Sequence, residues 1–279
     1  MRISVKMVAA SVVLALASAA ASAAVPSVPS QPAPAPIPST DVSTGSGLIV
    51  SIWDSVRGVS LVDYVGLNES QFLPGNTNAT PDAGLVLNFG TIAGYSSVFG
   101  TSNSGDIQYT ISSSFNSGSI AGRVLETTLA AAPTGAIRNN PISSAVLASR
   151  TFTGNLNSNC ANANPCTAAT NLDATYAGVG SWAEKYGNNL PVSAAATVGT
   201  AMGFYLLSTS SGVPTANGTV LRYGNSTGFA SWLLGTDGSL TYSVPSSVPL
   251  PAAVWLLLSG MVGFGTVARR RKEDASVAA

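Results

Sequence analysis

The chain has 279 residues, 12 Lys and Arg against 12 Asp and Glu, and no histidine. The missing histidines exclude Ser-His-Asp and Cys-His nucleophile systems and the usual zinc hydrolase centres. Two basic residues precede the central region, and four basic and two acidic residues follow it, leaving six basic and ten acidic residues between. That region is mildly acidic, which excludes the basic footprint of a nucleic-acid binder.

Arg2 and Lys6 form a basic flank, Met7 to Ala17 is a short apolar core, and Ala21-Ser22-Ala23 fits a small-residue cleavage site. This order predicts a signal peptide over residues 1–24, cut after Ala23 or Ala24. A short buried helix would account for the apolar core alone. Residues 25–40 follow, with six prolines in VPSVPSQPAPAPIP. Such a stretch favours polyproline II and reads as a semi-rigid spacer, or as a peptide ligand for a partner domain.

Residues 41–247 read as a β-rich extracytoplasmic domain. Gly47 to Asp54 and Val59 to Val65 flank Ser55-Val56-Arg57-Gly58 and predict a hairpin. Asp106 to Ser112 alternates Ile107, Tyr109 and Ile111 with polar residues, the period of a half-buried strand. Helix signals are short, at Ser143 to Ser149 and around Trp182 to Lys185 within Ala174 to Asn189. Frequent Gly, Ser, Thr and Asn make long helices costly. Phe229 to Leu234 and Ser239 to Val244 flank Gly235-Thr236-Asp237-Gly238, whose Asp-Gly pair supplies a tight turn. Leu240, Tyr242 and Val244 then share a face. The fold class expected is mainly β, an antiparallel β-sandwich or jelly-roll-like body.

Cys160 and Cys166 enclose five residues. In an exported chain such a pair forms a disulfide, here worth about 2 kcal/mol and expected to pin a surface excursion. Two thiols without histidine make an incomplete zinc site. Acid–base chemistry would fall to carboxylates, as in glycoside hydrolysis. Asp41, Glu69, Asp106, Glu126 and Asp173 have no evident companion; Asp82 and Asp237 read as turn residues, and Glu184 as part of a helix face. Asp54 beside Trp53 and Asp63 beside Tyr64 could meet across the first hairpin and are the least poor enzymatic constellation, although no catalytic residue is expected. Trp53, Trp182 and Trp232 either stack on sugars or fill the core. No calcium loop or phosphate-binding glycine loop is present, and no cofactor is expected.

Residues 248–279 carry three features in order. Val248-Pro249-Leu250-Pro251 precedes an uncharged apolar run at about 252–268, and Arg269, Arg270, Arg271 and Lys272 follow. The run is long enough for a short transmembrane helix, and the cationic cluster stays cytoplasmic as a stop-transfer signal. An ordinary single-pass anchor would share the helix and the charges but has no need of the prolines.

This tail resembles the PEP-CTERM sorting signal in a VPLPA-type variant, with Leu250 in place of the name-giving Glu. The resemblance covers the tail alone. It implies an exosortase-like membrane peptidase as partner, an inner-membrane-anchored precursor, and a final place at the cell surface or in the extracellular matrix of a Gram-negative bacterium. The expected function is a non-enzymatic structural or adhesive role associated with biofilm exopolysaccharide. The alternative is a secreted carbohydrate-active enzyme, such as a carboxylate-based glycoside hydrolase, or a carbohydrate-binding module with the same tail.

Overall fold

The run GLIVSIWD forms β1 (Gly47–Asp54), and all eight of its residues are buried. A strand buried end to end needs cover on both faces, and the rest of the fold supplies it. We analysed a computed structural model, which describes residues 47–68, 85–117, 120–128, 137–160, 164–178, 195–225 and 228–246. The predicted signal peptide, spacer and tail lie outside the described residues. Among the described residues, no helix is long and apolar enough to cross a membrane.

β2 (Val59–Asn68) pairs antiparallel with β1, as the hairpin signal predicts. In the turn, Asp54 Oδ1 accepts the N–H groups of Val56 and Arg57 at 2.9 and 3.0 Å. Then come β3 (Val86–Thr91), α1 (Tyr95–Phe99), β4 (Ile107–Ser117), β5 (Ile120–Thr128) and α2 (Asn139–Asn159). They are followed by β6 (Cys166–Ala168), β7 (Ala196–Thr197), β8 (Met202–Ser208) and β9 (Thr219–Arg222). The small ribbon of β10 (Gly224–Asn225) and β11 (Gly228–Phe229) precedes β12 (Ser231–Leu234) and β13 (Ser239–Ser243). Eleven strands join in one sheet, ordered β3-β13-β12-β8-β5-β4-β1-β2-β6, with β7 on β4 and β9 on β8. All pairings are antiparallel. The architecture is mainly β and consistent with a β-sandwich.

The sheet folds back over its own inner face. Leu48, Val50 and Ile52 of β1 share one core with Tyr109 of β4, Phe204 of β8, Trp232 of β12 and Tyr242 of β13. Within it Phe204 meets Trp232 edge-on at 5.7 Å, and Trp232 meets Tyr242 at 4.9 Å. Aromatic pairs of this kind stabilise beyond the area they bury. Tyr109 Oη donates to the Thr200 carbonyl at 2.7 Å, and to the Trp232 carbonyl at 3.2 Å. The N–H groups of Val198 and Gly199 reach the carbonyls of Ile107 and Leu234. These bonds join β4 to β12, which β5 and β8 separate in sheet order.

The outer face of β1 carries Ile49, Ser51 and Trp53, and a second core forms there with Ile142, Val146, Phe152 and Leu156 of α2. This 21-residue helix corrects the expectation of short helices only. Its buried residues, including Ile142, Ala145, Val146, Ser149, Phe152, Thr153 and Leu156, recur at three- and four-residue spacing. Tertiary burial of that stripe outweighs the low helix propensity of its Ser, Thr and Asn. Pro141 sits in the first turn, where a missing N–H costs nothing. The N–H groups of Asn139 and Asn140 find the carbonyls of Ala216 and Pro214.

The same helix corrects the reading of 106–112 as half-buried. Thr110, Ser112 and Ser114 of β4 are as buried as Ile107, Tyr109 and Ile111. Ser114 Oγ donates to Ser149 Oγ at 2.6 Å, and Thr110 and Thr127 hydroxyls lie 3.0 Å apart. Residues 174–178 form no helix, and 179–194 lie outside the described residues.

The last hairpin is as the sequence predicts. Leu234 pairs with Leu240, and Leu240, Tyr242 and Val244 are buried in the inner core. Gly238 in its turn has φ 82°, and a Cβ there would lie 2.5 Å from ring atoms of Tyr95. Gly238→Ala therefore combines backbone strain with a steric clash, and should cost about 2 kcal/mol. The urea midpoint of the variant measures this loss; an unchanged midpoint would contradict the packing of Tyr95 on the turn.

Candidate functional site

The predicted sorting residues are the first candidates. Ala23, Ala24, Val248 to Pro251 and Arg269 to Lys272 all lie outside the described residues. The cysteines do not. Cys160 and Cys166 form a disulfide with Cα atoms 5.6 Å apart. It connects the C-cap of α2 to the first residue of β6. Cys166 is buried and pairs with Val62, so the bond ties a helix end to an edge strand rather than pinning a surface excursion.

Asn164, within the closed loop, continues that edge by other means. Val62 faces Cys166, so Tyr64 falls opposite Asn164, two residues beyond the ladder. There the Tyr64 N–H donates to Asn164 Oδ1 at 2.9 Å, and Asn164 Nδ2 donates to the Tyr64 carbonyl at 3.4 Å. The side-chain amide thus stands in for a strand backbone. Sequence reasoning missed this residue; its only local mark is the Asn164-Pro165 turn dipeptide.

Asp63 lies between these contacts, on the inner face of β2 and opposite Val50. Burial raises its pKa to about 6, while hydrogen bonds from the Asn164 side chain and the Tyr64 backbone oppose the rise. Asp54 does not meet it. The register sets Asp54 against Val59 and Asp63 against Val50, four residues apart, or about 13 Å along the strand. The expected pair is therefore not formed. Asp54 is occupied instead as the acceptor of its own turn.

The remaining carboxylates are also dispersed. Asp173 Oδ1 accepts from the N–H and hydroxyl of Thr175, and Asp237 Oδ1 does the same for Ser239. Glu126 stands opposite Ser112 on one side and Tyr205 on the other. Asp41, Glu69, Asp82 and Glu184 lie outside the described residues. Trp53 and Trp232 are fully buried core residues rather than sugar platforms, and Trp182 lies outside the described residues. Among the described residues no cluster of three His, Cys, Asp or Glu could hold a metal.

Compared with known proteins, the chain matches no protein-family model, no curated protein and no solved structure.

Two outcomes follow from this edge. With the disulfide formed, no thiol should react with a maleimide after denaturation without reductant. Replacing both cysteines by Ser should lower stability by about 2 kcal/mol and leave the sheet folded. Labelling of both thiols would refute the bond.

The second concerns pH. Well below pH 3.8 Asp63 is neutral in both the folded and unfolded chain, and its contribution to stability is complete. As pH rises towards 6 the unfolded carboxyl ionises first, and stability is lost. Asp63→Asn should remove that loss, gaining about 2–3 kcal/mol over the native protein at pH 7.5 and little at pH 4. Denaturant midpoints of both proteins at the two pH values decide it.

Proposed function

We propose that the protein is an exported, non-enzymatic structural or adhesive component of the cell surface or extracellular matrix. The observation that carries this reading is the Cys160–Cys166 bond, since structural disulfides persist in oxidising compartments outside the cytoplasm. Signal peptide 1–24 starts export. The apolar helix at about 252–268 and the cluster Arg269 to Lys272 hold the precursor in the inner membrane. An exosortase-like peptidase then cuts near Val248-Pro249-Leu250-Pro251. The body acts by packing or adhesion, with exopolysaccharide as its surroundings, on a jelly-roll-like form of the sandwich.

The alternative is a secreted carbohydrate-active enzyme or carbohydrate-binding module with the same tail. Its catalytic form drew on Asp54 and Asp63, and these stand apart.

The test is the mass of the mature C-terminus in a host with the peptidase and in one lacking it. Loss of residues beyond the proline pair in the first host alone is the expected result. Pro249→Ala with Pro251→Ala should block cutting while sparing membrane insertion, because the prolines keep the segment extended and the apolar run is untouched. An intact tail in both hosts would leave a single-pass membrane protein and remove the matrix reading.

A further inference from the structure

We propose that the Cys160–Cys166 loop is a redox-sensitive latch. While the bond is closed it holds the Asn164 side chain on the edge of β2, and reduction releases that edge without unfolding the sheet.

The hold on this edge is small. β6 is the last strand in the sheet order, and its three residues pair with Ser60, Leu61 and Val62. Next along the edge the covering partner is a side chain. Asn164 Oδ1 accepts the Tyr64 N–H at 2.9 Å, and Asn164 Nδ2 donates to the Tyr64 carbonyl at 3.4 Å. A strand backbone is fixed by its ladder, whereas a side-chain amide stays in place only while its loop does. Asn164 lies between the two cysteines, so the bond that closes the loop also fixes the amide.

The loop is seated at three points. Cys160 is the C-cap of α2, and its N–H donates to the Leu156 carbonyl at 3.0 Å. Cys166 opens β6 opposite Val62. Between them Pro165 packs at the start of α1: a Cβ on Gly94 would lie 4.0 Å from Pro165 Cγ and 3.5 Å from Leu61 Cδ1. The disulfide therefore joins three elements through one short loop.

The two sulfur-bearing residues differ in access. Cys166 is buried, while Cys160 is only partly so. A small dithiol is thus directed to Cys160. Its thiolate attacks Cys160 Sγ, the S–S bond breaks, and Cys166 leaves as a thiolate that takes up a proton. The second thiol of the reagent then displaces Cys160 as a thiol and closes the reagent's own disulfide. Two electrons pass to the protein, and the dithiol is oxidised. The restraint on the loop is then gone, and a segment with so few contacts opens locally. An uncovered strand edge is a template for another strand, so the closed latch keeps a pairing surface capped. This inference rests on the loop geometry and not on the proposed export or cutting of the tail; either can fail without the other.

The experiment is native-state amide exchange on the purified full chain, with and without dithiothreitol, across low urea concentrations. Maleimide labelling and mass measurement report whether both thiols are free. Reduction should speed exchange at the Tyr64 N–H about tenfold or more, and the faster exchange should be insensitive to urea, as a local opening is. Val50, central in β1, should keep the urea dependence of global unfolding. Asn164→Ala retains the disulfide and should give fast Tyr64 exchange in the oxidised chain, with no further response to dithiothreitol. A bond that resists dithiothreitol in the folded chain overturns the latch. So does Tyr64 exchange that is unchanged on reduction, or that rises in step with Val50 and with the same urea dependence. Loss of the sheet signal in circular dichroism on reduction overturns it as well.

Discussion

The fold depends on the burial of β1 on both faces. An eight-residue strand can lose all contact with water only if its backbone is paired on both sides and both rows of side chains are covered. β2 and β4 pair its edges. Its even-numbered residues meet the aromatic core contributed by β8, β12 and β13, while Ile49 and Trp53 join the core beneath α2. The sheet therefore folds over on one side and accepts a helix on the other. The two cores differ in kind. The inner one sets a cluster of large rings among aliphatic residues, whereas the outer one, which holds Trp53, Phe152 and Tyr176, borders a row of short hydroxyl side chains.

Those hydroxyls determine how closely the layers approach. Ser51, Ser112 and Ser114 are buried and occupy little volume, and the helix meets Ser114 with Ser149. Thr153 Oγ1 returns its bond to the Ser149 carbonyl one turn back, which satisfies it without a partner in the sheet. At the start of the helix, buried Asn139 performs a similar service for the 209–217 loop. Its Nδ2 donates to the carbonyls of Ser211 and Val213, and its Oδ1 accepts from the Ser210 N–H. Polar residues that look solvent-facing in the sequence are thus structural in the fold.

This explains what was legible beforehand. Both hairpins were, because apolar runs bounded by turn residues identify themselves locally: Asp54 and Gly58 in one turn, Asp237 and Gly238 in the other. The disulfide was legible as a pairing, though its burial against Val62 was not, since spacing says nothing about which element lies beside a loop. α2 was hidden because its propensity is poor and its stripe mixes Ser and Thr with Ile, Val and Phe. The covering of β4 was hidden for the same reason. Of the candidate site, Asp63 could be named but not its register, and the four-residue offset from Asp54 decides that the two carboxylates share no chemistry. The packing of α1 on the last turn was illegible, because Tyr95 and Gly238 come together only in the folded chain.

The placement of the first and last described strands has a mechanical consequence. β1 lies between β2 and β4, and β13 lies between β12 and β3. Neither is an edge. Tension applied through the segments that adjoin residues 47 and 246 would therefore load two hydrogen-bonded ladders at once at each end, instead of peeling a single outer strand. A pull along the chain would thus be shared between paired strands at both ends of the described body.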